Sequence, residues 1–198
     1  MRTILGRDDD ISDGEAFARS LAGAPEAFGV VFDRHYDAVH RYAQRRCGPR
    51  ADDIASDTFL AAFRTRARWT PDARGARPWL LGIATNIIRQ HARDEQRWLR
   101  IAARSTPEGS AEGWQEQAVE RADAARRRSE VVEAIAALSA ADRDTLLLSA
   151  LAGLADDEVA LSLGVPAGTV ASRLHRVRRI LNQRLSAGAI PTELSSDA

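Results

Sequence analysis

Residues 156–184 have the sequence DDEVALSLGVPAGTVASRLHRVRRILNQR, which predicts two short helices joined by a tight turn. Ala160, Gly164 and Val170 lie where a helix-turn-helix needs a small contact residue, a turn glycine and a buried apolar residue. Such a unit places its second helix in the major groove of DNA, which is about 12 Å wide. The segment therefore predicts a domain that recognises DNA.

The second helix of this unit has an apolar stripe and a polar face. Pro166 suits its first turn, where no backbone donor is needed. At helical spacing, the stripe consists of Val170, Leu174, Val177 and Leu181. On the polar face we expect base-edge contacts from Thr169, Ser172, Arg173 and Arg176, and phosphate contacts from Arg178, Arg179 and Arg184. The alternative is an ordinary amphipathic helix with a solvated arginine face.

The distribution of charge favours the DNA-binding interpretation. The chain of 198 residues carries 28 basic and 28 acidic side chains, and every basic one is an arginine. No acidic residue lies between Glu158 and Glu193, whereas five arginines do. The balancing acids cluster at 8–10, 52–57 and 108–123. A neutral chain can therefore still present a locally basic surface to nucleic acid.

Cysteine content and hydropathy predict a cytoplasmic protein. Cys47 is the single cysteine, so an internal disulfide is excluded and a reducing interior suits the chain. No apolar run approaches the roughly 20 residues of a membrane helix. The region that begins at Met1 and includes Asp8, Asp9 and Asp10 does not resemble a signal peptide. We therefore expect no membrane insertion.

The sequence offers no convincing catalytic or metal site. His35, His40, His91 and His175 show no metal-ligand spacing with one another or with Cys47. Asp52 and Asp53 are adjacent on a predicted helix, where they diverge by about 100° and suit its N-terminus better than a metal. No glycine-rich phosphate loop is present. We expect no enzymatic activity, no metal and no cofactor.

Helical periodicity dominates the chain, and no convincing alternating strand occurs, so the predicted fold class is all-α. A first stripe, opened by Pro25, contains Phe28, Val31, Phe32, His35, Tyr36 and Val39. A second stripe contains Ile54, Thr58, Phe59, Ala62 and Phe63. After a break at Pro71 and Gly75, a third helix is predicted to run from Pro78 towards Trp98.

Composition divides the chain into two small helical domains joined by a flexible acidic linker. Ser139 and Asp142 resemble a capping box that starts a helix over 142–151, and Gly153 suits its end. The predicted boundaries are an N-terminal extension at 1–21, a first domain at 22–104, the linker at 105–126, a helix-turn-helix domain at 127–187 and a tail at 188–198.

Arginines and aromatic side chains alternate around the break in the first half. Arg64, Arg66, Arg68 and Trp69 precede it, and Arg77, Pro78 and Trp79 follow it. This pattern suits single-stranded DNA, whose bases stack on aromatic faces, and a mobile loop could accept a base that has left the stack. Composition alone favours the other interpretation, in which Trp69 and Trp79 fill a helical core and the arginines lie at its rim.

Three motifs together resemble one known family. They are ADDIASDTFLAAFR at 51–64, RPWLLGIATNIIRQHAR at 77–93 and GVPAGTVASRLHRVRRIL at 164–181. Their order and spacing resemble the extracytoplasmic-function group of bacterial sigma factors, over roughly residues 25–185. The resemblance implies a subunit that joins core RNA polymerase and directs it to promoters, with the linker in the RNA-exit path.

The resemblance also implies roles for particular residues. The polymerase clamp would bind Asp52, Asp53, Ile54, Asp57 and Phe59. The −10 element, including a non-template base captured by the loop 70–77, would be bound by Trp69, Arg74, Arg77, Trp79, Asn86, Arg89 and Gln90. The −35 duplex would be bound by Thr169, Ser172, Arg173, Arg176 and Arg179. An antisigma factor is a possible further partner.

Four positions depart from the family pattern. Ser56 replaces a glutamine in the polymerase-binding helix, and Thr85 replaces a common arginine beside the −10 surface. Ala155 replaces a serine cap, so that Asp156 is expected to cap the helix one residue later. Ala171 replaces a common lysine and removes one expected phosphate contact.

Two rival functions belong to other classes. One is a one-component regulator with an N-terminal helical sensor domain and a DNA-binding domain. The other is an antisigma-type interaction protein with no DNA role. The cluster at 64–79 is the discriminating feature, because a ligand sensor would not need arginines interleaved with aromatic side chains there.

Overall fold

The computed structural model describes residues 11–91 and 129–187, and within these ranges every regular element is helical. The helices are α1 (Asp13–Leu21), α2 (Phe28–Cys47), α3 (Ala51–Thr65), α4 (Arg77–Gln90), α5 (129–136), α6 (Ala140–Ala152), α7 (Asp156–Leu163) and α8 (Ala167–Ala187). This confirms the predicted all-α fold. The proposed linker at 105–126 and the predicted extension of the third helix beyond residue 91 lie outside the described residues.

Several helix ends follow the predicted local chemistry. Pro25 opens a short 3₁₀ turn that leads into α2, and Pro78 lies in the first turn of α4. The hydroxyl of Ser139 accepts a hydrogen bond from the Asp142 backbone N–H at 3.1 Å, as the capping box predicted. Gly153 ends α6 at a φ of 66°, a conformation that glycine adopts without strain.

The start of α7 corrects one prediction. The helix is capped at Ala155, whose backbone is extended and whose side chain provides no acceptor, so Asp156 lies inside the first turn. The carboxylate of Glu158 compensates by accepting the Ala155 N–H at 2.9 Å. Asp156, Asp157 and Glu158 thus place negative charge near the positive end of the helix dipole.

The core of the N-terminal half forms where the predicted stripes meet. Val31 and Val39 of α2 pack against Ala55 of α3 and against Leu80, Leu81 and Ile88 of α4, and all of these side chains are fully buried. Phe17 brings α1 into the same core. The predicted boundary put residues 1–21 in an extension, but α1 is part of this helical unit.

The C-terminal half has the geometry of a helix-turn-helix. Gly164 ends α7 at a φ of 61°, and the Val165 N–H then bonds back to the Ala160 carbonyl at 3.1 Å. Val170 and Val177 of α8 are completely buried, so the predicted stripe is the face on which this helix packs. The local sequence therefore determines both the turn and the orientation of α8.

The two halves pack directly against each other, which the sequence did not indicate. Helix α4 lies on α7, and α2 contacts α6, so that the buried core is continuous across them. The Ser162 hydroxyl of α7 donates to the Pro78 carbonyl of α4 at 2.7 Å. Gly82 of α4 faces the backbone of Ser162 so closely that a Cβ atom at this position would collide with its carbonyl.

This close approach predicts that Gly82→Ala weakens the packing of the halves. The new methyl group meets backbone that cannot give way, and such overpacking typically costs about 1–3 kcal/mol. Gly29→Ala is the matched control, because Gly29 also lies in a helix but faces open space. Urea unfolding should show a lower unfolding free energy for Gly82→Ala than for Gly29→Ala. Equal stabilities of the two variants would contradict the described contact.

Candidate nucleic-acid interface

The polar face of α8 is available to solvent. Ser172, Arg176 and Arg179 are exposed, while Thr169 and Arg173 at the edges of the face are partly exposed. Ala171 is also exposed, so the position where lysine is common lies on the same open surface. The arrangement presents several arginines on one side of a helix whose other side is buried, which is the form of a recognition helix.

Arg176 makes one loose contact within its own half. Its Nη1 lies 3.4 Å and 3.5 Å from the two carboxylate oxygens of Asp142, beyond the usual length of a hydrogen bond. The Arg176 side chain is 51 % exposed. A weak, half-solvated ion pair of this kind contributes little to stability, so the guanidinium is free to turn towards another acceptor.

Trp69 and Trp79 pack around the same phenylalanine. Trp69 stacks on Phe17 with ring centroids 4.4 Å apart, and Trp79 meets Phe17 edge-on at 5.6 Å. Both indoles are partly buried against the core. One face of Trp69 is therefore occupied by the protein itself, which agrees with the core-filling interpretation of these aromatics.

Three arginines predicted to bind the −10 element contact the C-terminal half. Arg89 pairs with Asp144 through Nε, and Arg77 donates to the Ala152 carbonyl. Arg74 donates to Asp157 at 3.0 Å and is also held by Asp72. Asn86 and Gln90, from the same predicted set, are exposed.

Asp144 is the centre of this contact. Its second oxygen accepts from Arg46 of α2 at 2.8 Å, and the two side chains of this pair are 0 % and 1 % exposed. Arg46 also donates to the Tyr42 hydroxyl at 2.7 Å, which in turn bonds Thr85 at 2.9 Å. Burial raises the pKa of Tyr42 and keeps its hydroxyl neutral. Thr85 is itself completely buried, so this departure from the family pattern lies in the core and not on the exposed surface of α4.

The loop before α4 is held at its end by Asp13. The buried carboxylate of Asp13 accepts from the Ala76 backbone N–H at 2.7 Å, from Arg34 at 2.6 Å and from His35 at 2.8 Å. Burial opposes ionisation, but the hydrogen bonds and charges of these partners outweigh it and hold the pKa of Asp13 well below its usual value. Asp13 was missed because its only sequence signal was an acid in the supposed extension.

The interior of this loop is organised by Asp72 and Arg74. Asp72 accepts from the Arg74 backbone N–H at 2.9 Å and from the Arg74 guanidinium at 2.6 Å, and these bonds lower the pKa of Asp72 to about 2. Gly75 follows at a φ of 71°. Between this loop and the start of α1 lies an open cleft of about 520 Å³.

The predicted polymerase-binding residues divide into two groups. Asp52, Asp53 and Asp57 are exposed on α3. Ile54 and Phe59, however, are only 1 % and 4 % exposed, so in the described arrangement they hold the helix in the core and are not part of its open surface. Both residues are part of the buried apolar stripe of α3, and the exposed acids lie on the other side of the same helix.

Two apolar side chains beside these acids are exposed, and the sequence pattern did not indicate them as interface residues. Phe32 of α2 is 39 % exposed and Leu60 of α3 is 47 % exposed. Phe32 packs edge-on against Phe59 with ring centroids 4.8 Å apart. Nearby, His40 bonds Asp52 at 2.9 Å. Exposed apolar groups thus lie next to charged ones, as they do where the apolar core of an interface meets its polar rim.

Two absences concern only the described residues. Across 11–91 and 129–187, no three histidine, cysteine, aspartate or glutamate side chains are grouped as a metal site requires. Within the same ranges, no helix is long and apolar enough to cross a membrane.

Comparisons with known proteins agree with the order of the two halves. Residues 31–98 match the family Sigma-70 region 2, and residues 128–181 match Sigma-70, region 4. The chain is 32 % identical over 170 residues to the ECF RNA polymerase sigma factor SigL of Mycobacterium tuberculosis, covering 84 % of this chain and 94 % of SigL. It is 31 % identical over 159 residues to the RNA polymerase sigma factor CarQ of Myxococcus xanthus, covering 78 % and 86 %.

Two solved structures have a similar fold. CnrH, determined in complex with the cytosolic domain of CnrY, superposes with a TM-score of 0.59 and 25 % identity, covering 89 % of this chain and 99 % of CnrH. RpoE from Bartonella quintana, determined with the anti-sigma factor NepR, superposes with a TM-score of 0.52 and 20 % identity, covering 81 % and 98 %.

The ionised Asp13 predicts a specific acid sensitivity. Because its folded pKa is depressed, its stabilisation is fully present above the unfolded pKa of about 4 and is lost as the pH falls towards the folded value. The difference in Tm between the wild type and Asp13→Asn should therefore be largest near pH 7 and shrink below about pH 4. Glu15→Gln, on the same helix but exposed, serves as the control. A difference that stays constant with pH would contradict this role.

Proposed function

The chain belongs to the extracytoplasmic-function sigma factors of RNA polymerase, and from that premise we propose which of its surfaces bind promoter DNA and polymerase. It is a transcription initiation factor that directs promoter-specific transcription. Its partners are core RNA polymerase and promoter DNA, and the proposed site of action is the cytoplasm. The observation that carries the proposal is the helix-turn-helix with its exposed arginine face, joined to a second unit of arginines and aromatics.

Helix α8 is the proposed reader of the −35 duplex. Arg176 and Arg179 are exposed, Arg173 lies at the edge of the face, and none is buried under a neighbouring helix. Arginine holds guanine through two parallel hydrogen bonds, while serine and threonine contact either bases or phosphates. Thr169 and Ser172 lie in the first turns of α8, the part of a recognition helix that contacts base edges.

Helix α4 and the preceding loop are the proposed surface for the −10 element. Arg74, Arg77 and Arg89 supply positive charge along this surface, and Asn86 and Gln90 add exposed hydrogen-bonding groups. The cleft beside the loop gives a displaced base somewhere to enter. Trp69 and Trp79 support this surface from beneath through Phe17, rather than by offering two free faces to bases.

In the described arrangement, called closed below, the C-terminal half packs on α4. Binding and opening of the −10 DNA therefore require that the two halves separate. The guanidinium groups of Arg74 and Arg89 are held by the carboxylates of Asp157 and Asp144, which occupy the donors that a DNA phosphate would need. Carboxylate and phosphate compete for the same groups, so the closed form binds the −10 element poorly. We infer that the C-terminal half leaves α4 when the protein engages polymerase and promoter, a shift driven by the affinity of those partners for the open form.

The proposed polymerase surface is the exposed side of α3 with the neighbouring part of α2. Asp52, Asp53 and Asp57 provide charge, and Phe32 and Leu60 provide exposed apolar area next to them. Ser56 lies on the same side of the helix, so its short hydroxyl replaces a longer amide at this contact. Apolar anchors within a polar rim are the usual composition of a specific interface.

An antisigma factor is a further proposed partner. The RpoE relative was determined with the anti-sigma factor NepR, and CnrH with the cytosolic domain of CnrY. A protein that held the two halves of this chain together would act on the same opening that promoter binding requires.

Asp144→Asn tests the proposed competition. Removing this charge breaks the buried pair with Arg46 that belongs to the closed form, and breaking a buried pair of this type costs about 3–5 kcal/mol. The free protein should then bind a −10 non-template strand at least about tenfold more tightly, measured by fluorescence anisotropy without polymerase.

Asp156→Asn is the matched control for the change in net charge. Asp156 is exposed beside Asp157 on α7, and within the described residues it pairs with none of the arginines of the −10 surface, so we expect only a small effect on binding. Equal affinities for the wild type and Asp144→Asn would contradict the closed arrangement as a barrier to DNA binding.

Two arginines of α8 test the assignment of the −35 reader. Arg176→Ala should weaken binding to a −35 duplex by about 1–3 kcal/mol and relax its sequence preference, as expected for a bidentate base contact. Arg178→Ala should weaken binding uniformly across sequences and reduce the salt slope by about 1, as expected for a phosphate contact. Titrations of both variants against matched and mutated duplexes at several salt concentrations separate these outcomes. An unchanged affinity for Arg176→Ala would mean that its side chain faces solvent in the complex.

A further inference from the structure

Helix α1 contacts both ends of the loop that precedes α4. At the start of the loop, Phe17 stacks on Trp69 at a centroid distance of 4.4 Å with an interplanar angle of 17°. At its end, Asp13 accepts the backbone N–H of Ala76 at 2.7 Å. Asp13 and Phe17 are one helical turn apart, so a single rigid turn fixes both ends of the loop.

The carboxylate of Asp13 is itself held firmly. One oxygen accepts from Arg34 at 2.6 Å, and the other bonds His35 at 2.8 Å in addition to Ala76. Arg34 and His35 lie on α2, which belongs to the rigid helical core. Asp13 therefore links α1, α2 and the beginning of α4 through one buried group with three hydrogen bonds.

The loop backbone also approaches this carboxylate more closely than a larger residue would permit. A Cβ atom on Gly75 would lie 2.9 Å from the Asp13 Oδ2, and Gly75 has a φ of 71°. The end of the loop is thus shaped around Asp13, and the cleft beside it is lined by Asp13 and Gly14 on one side and by Pro71 and Ala73 on the other.

We propose that α1 holds the base-capture loop, residues 70–76, in a fixed conformation before DNA binds. Asp13 is the residue that positions this loop to receive the non-template base. A loop fixed at both ends loses little conformational entropy when a base enters, because the ordering has already occurred in the free protein. Helix α1 lies outside the residues matched by Sigma-70 region 2, which begin at residue 31. The inference rests on the proposed role of the loop in the −10 element.

The test uses polymerase holoenzyme assembled with each variant on a promoter that carries 2-aminopurine at single non-template positions of the −10 element. The fluorescence of 2-aminopurine rises when the base leaves the stack. Asp13→Ala should reduce the rate or amplitude of this rise about tenfold, while affinity for core polymerase and for the −35 duplex stays unchanged. Asp13→Asn should have an intermediate effect, because its amide oxygen still accepts from Ala76 but lacks the charge that holds Arg34.

Glu15→Gln is the matched control, since Glu15 lies on the same helix but is exposed and pairs only locally with Arg19. It should behave as the wild type. If Asp13→Ala does not fold, Asp13→Asn and Phe17→Leu, which removes the stacking on Trp69, complete the test. Base capture at the wild-type level by the folded Asp13 variants and by Phe17→Leu would overturn the proposal.

A different outcome bears on the proposed role of the loop itself. If the wild-type holoenzyme opens the promoter but gives no 2-aminopurine signal at any −10 position, the loop does not capture a base. The function assigned to the loop would then be wrong, and so would the proposal that α1 orders the loop for base capture. A clear wild-type signal with normal signals from the variants would overturn only the proposed role of α1 and would leave base capture by the loop in place.

Discussion

The buried carboxylate of Asp144 is the contact on which the described arrangement depends. It brings together Arg46 from α2 and Arg89 from α4, so one acid of the C-terminal half neutralises two arginines of the N-terminal half. A buried charge is tolerated only when it is paired and hydrogen-bonded, and here Arg46 also donates to the Tyr42 hydroxyl. Because Arg46 and Arg89 have fixed positions on α2 and α4, their ion pairs with Asp144 define how the two halves fit together.

This contact gives the −10 surface two opposing constraints. On one side, α1 fixes the loop and the start of α4 through Asp13, which favours a surface already shaped for DNA. On the other side, Asp144 and Asp157 occupy the arginines of the same surface, which favours the closed form. Release of the C-terminal half would thus uncover a surface that needs little further ordering.

The features that the sequence predicted well are local ones. The Ser139 cap, the glycine stop at 153 and the buried stripe of α8 each depend on residues a few positions apart, and each is present. The burial of Ile54 and Phe59 was not predicted, because a motif gives the position of a helix on a partner but not which of its side chains point inwards. The packing of the halves could not be predicted, because Arg46 and Asp144 are 98 residues apart and neither has a local sign of burial.

The packing of the two halves is tested most directly by the distance between them with and without core polymerase. In a background in which Cys47 is replaced by alanine, Gly29→Cys and Gln183→Cys place labels at exposed positions on α2 and α8 for pulsed electron paramagnetic resonance. The free protein should show one short distance that lengthens when polymerase and promoter bind. A free protein with a broad, long distribution, unchanged on binding, would contradict the closed arrangement and the competition that follows from it.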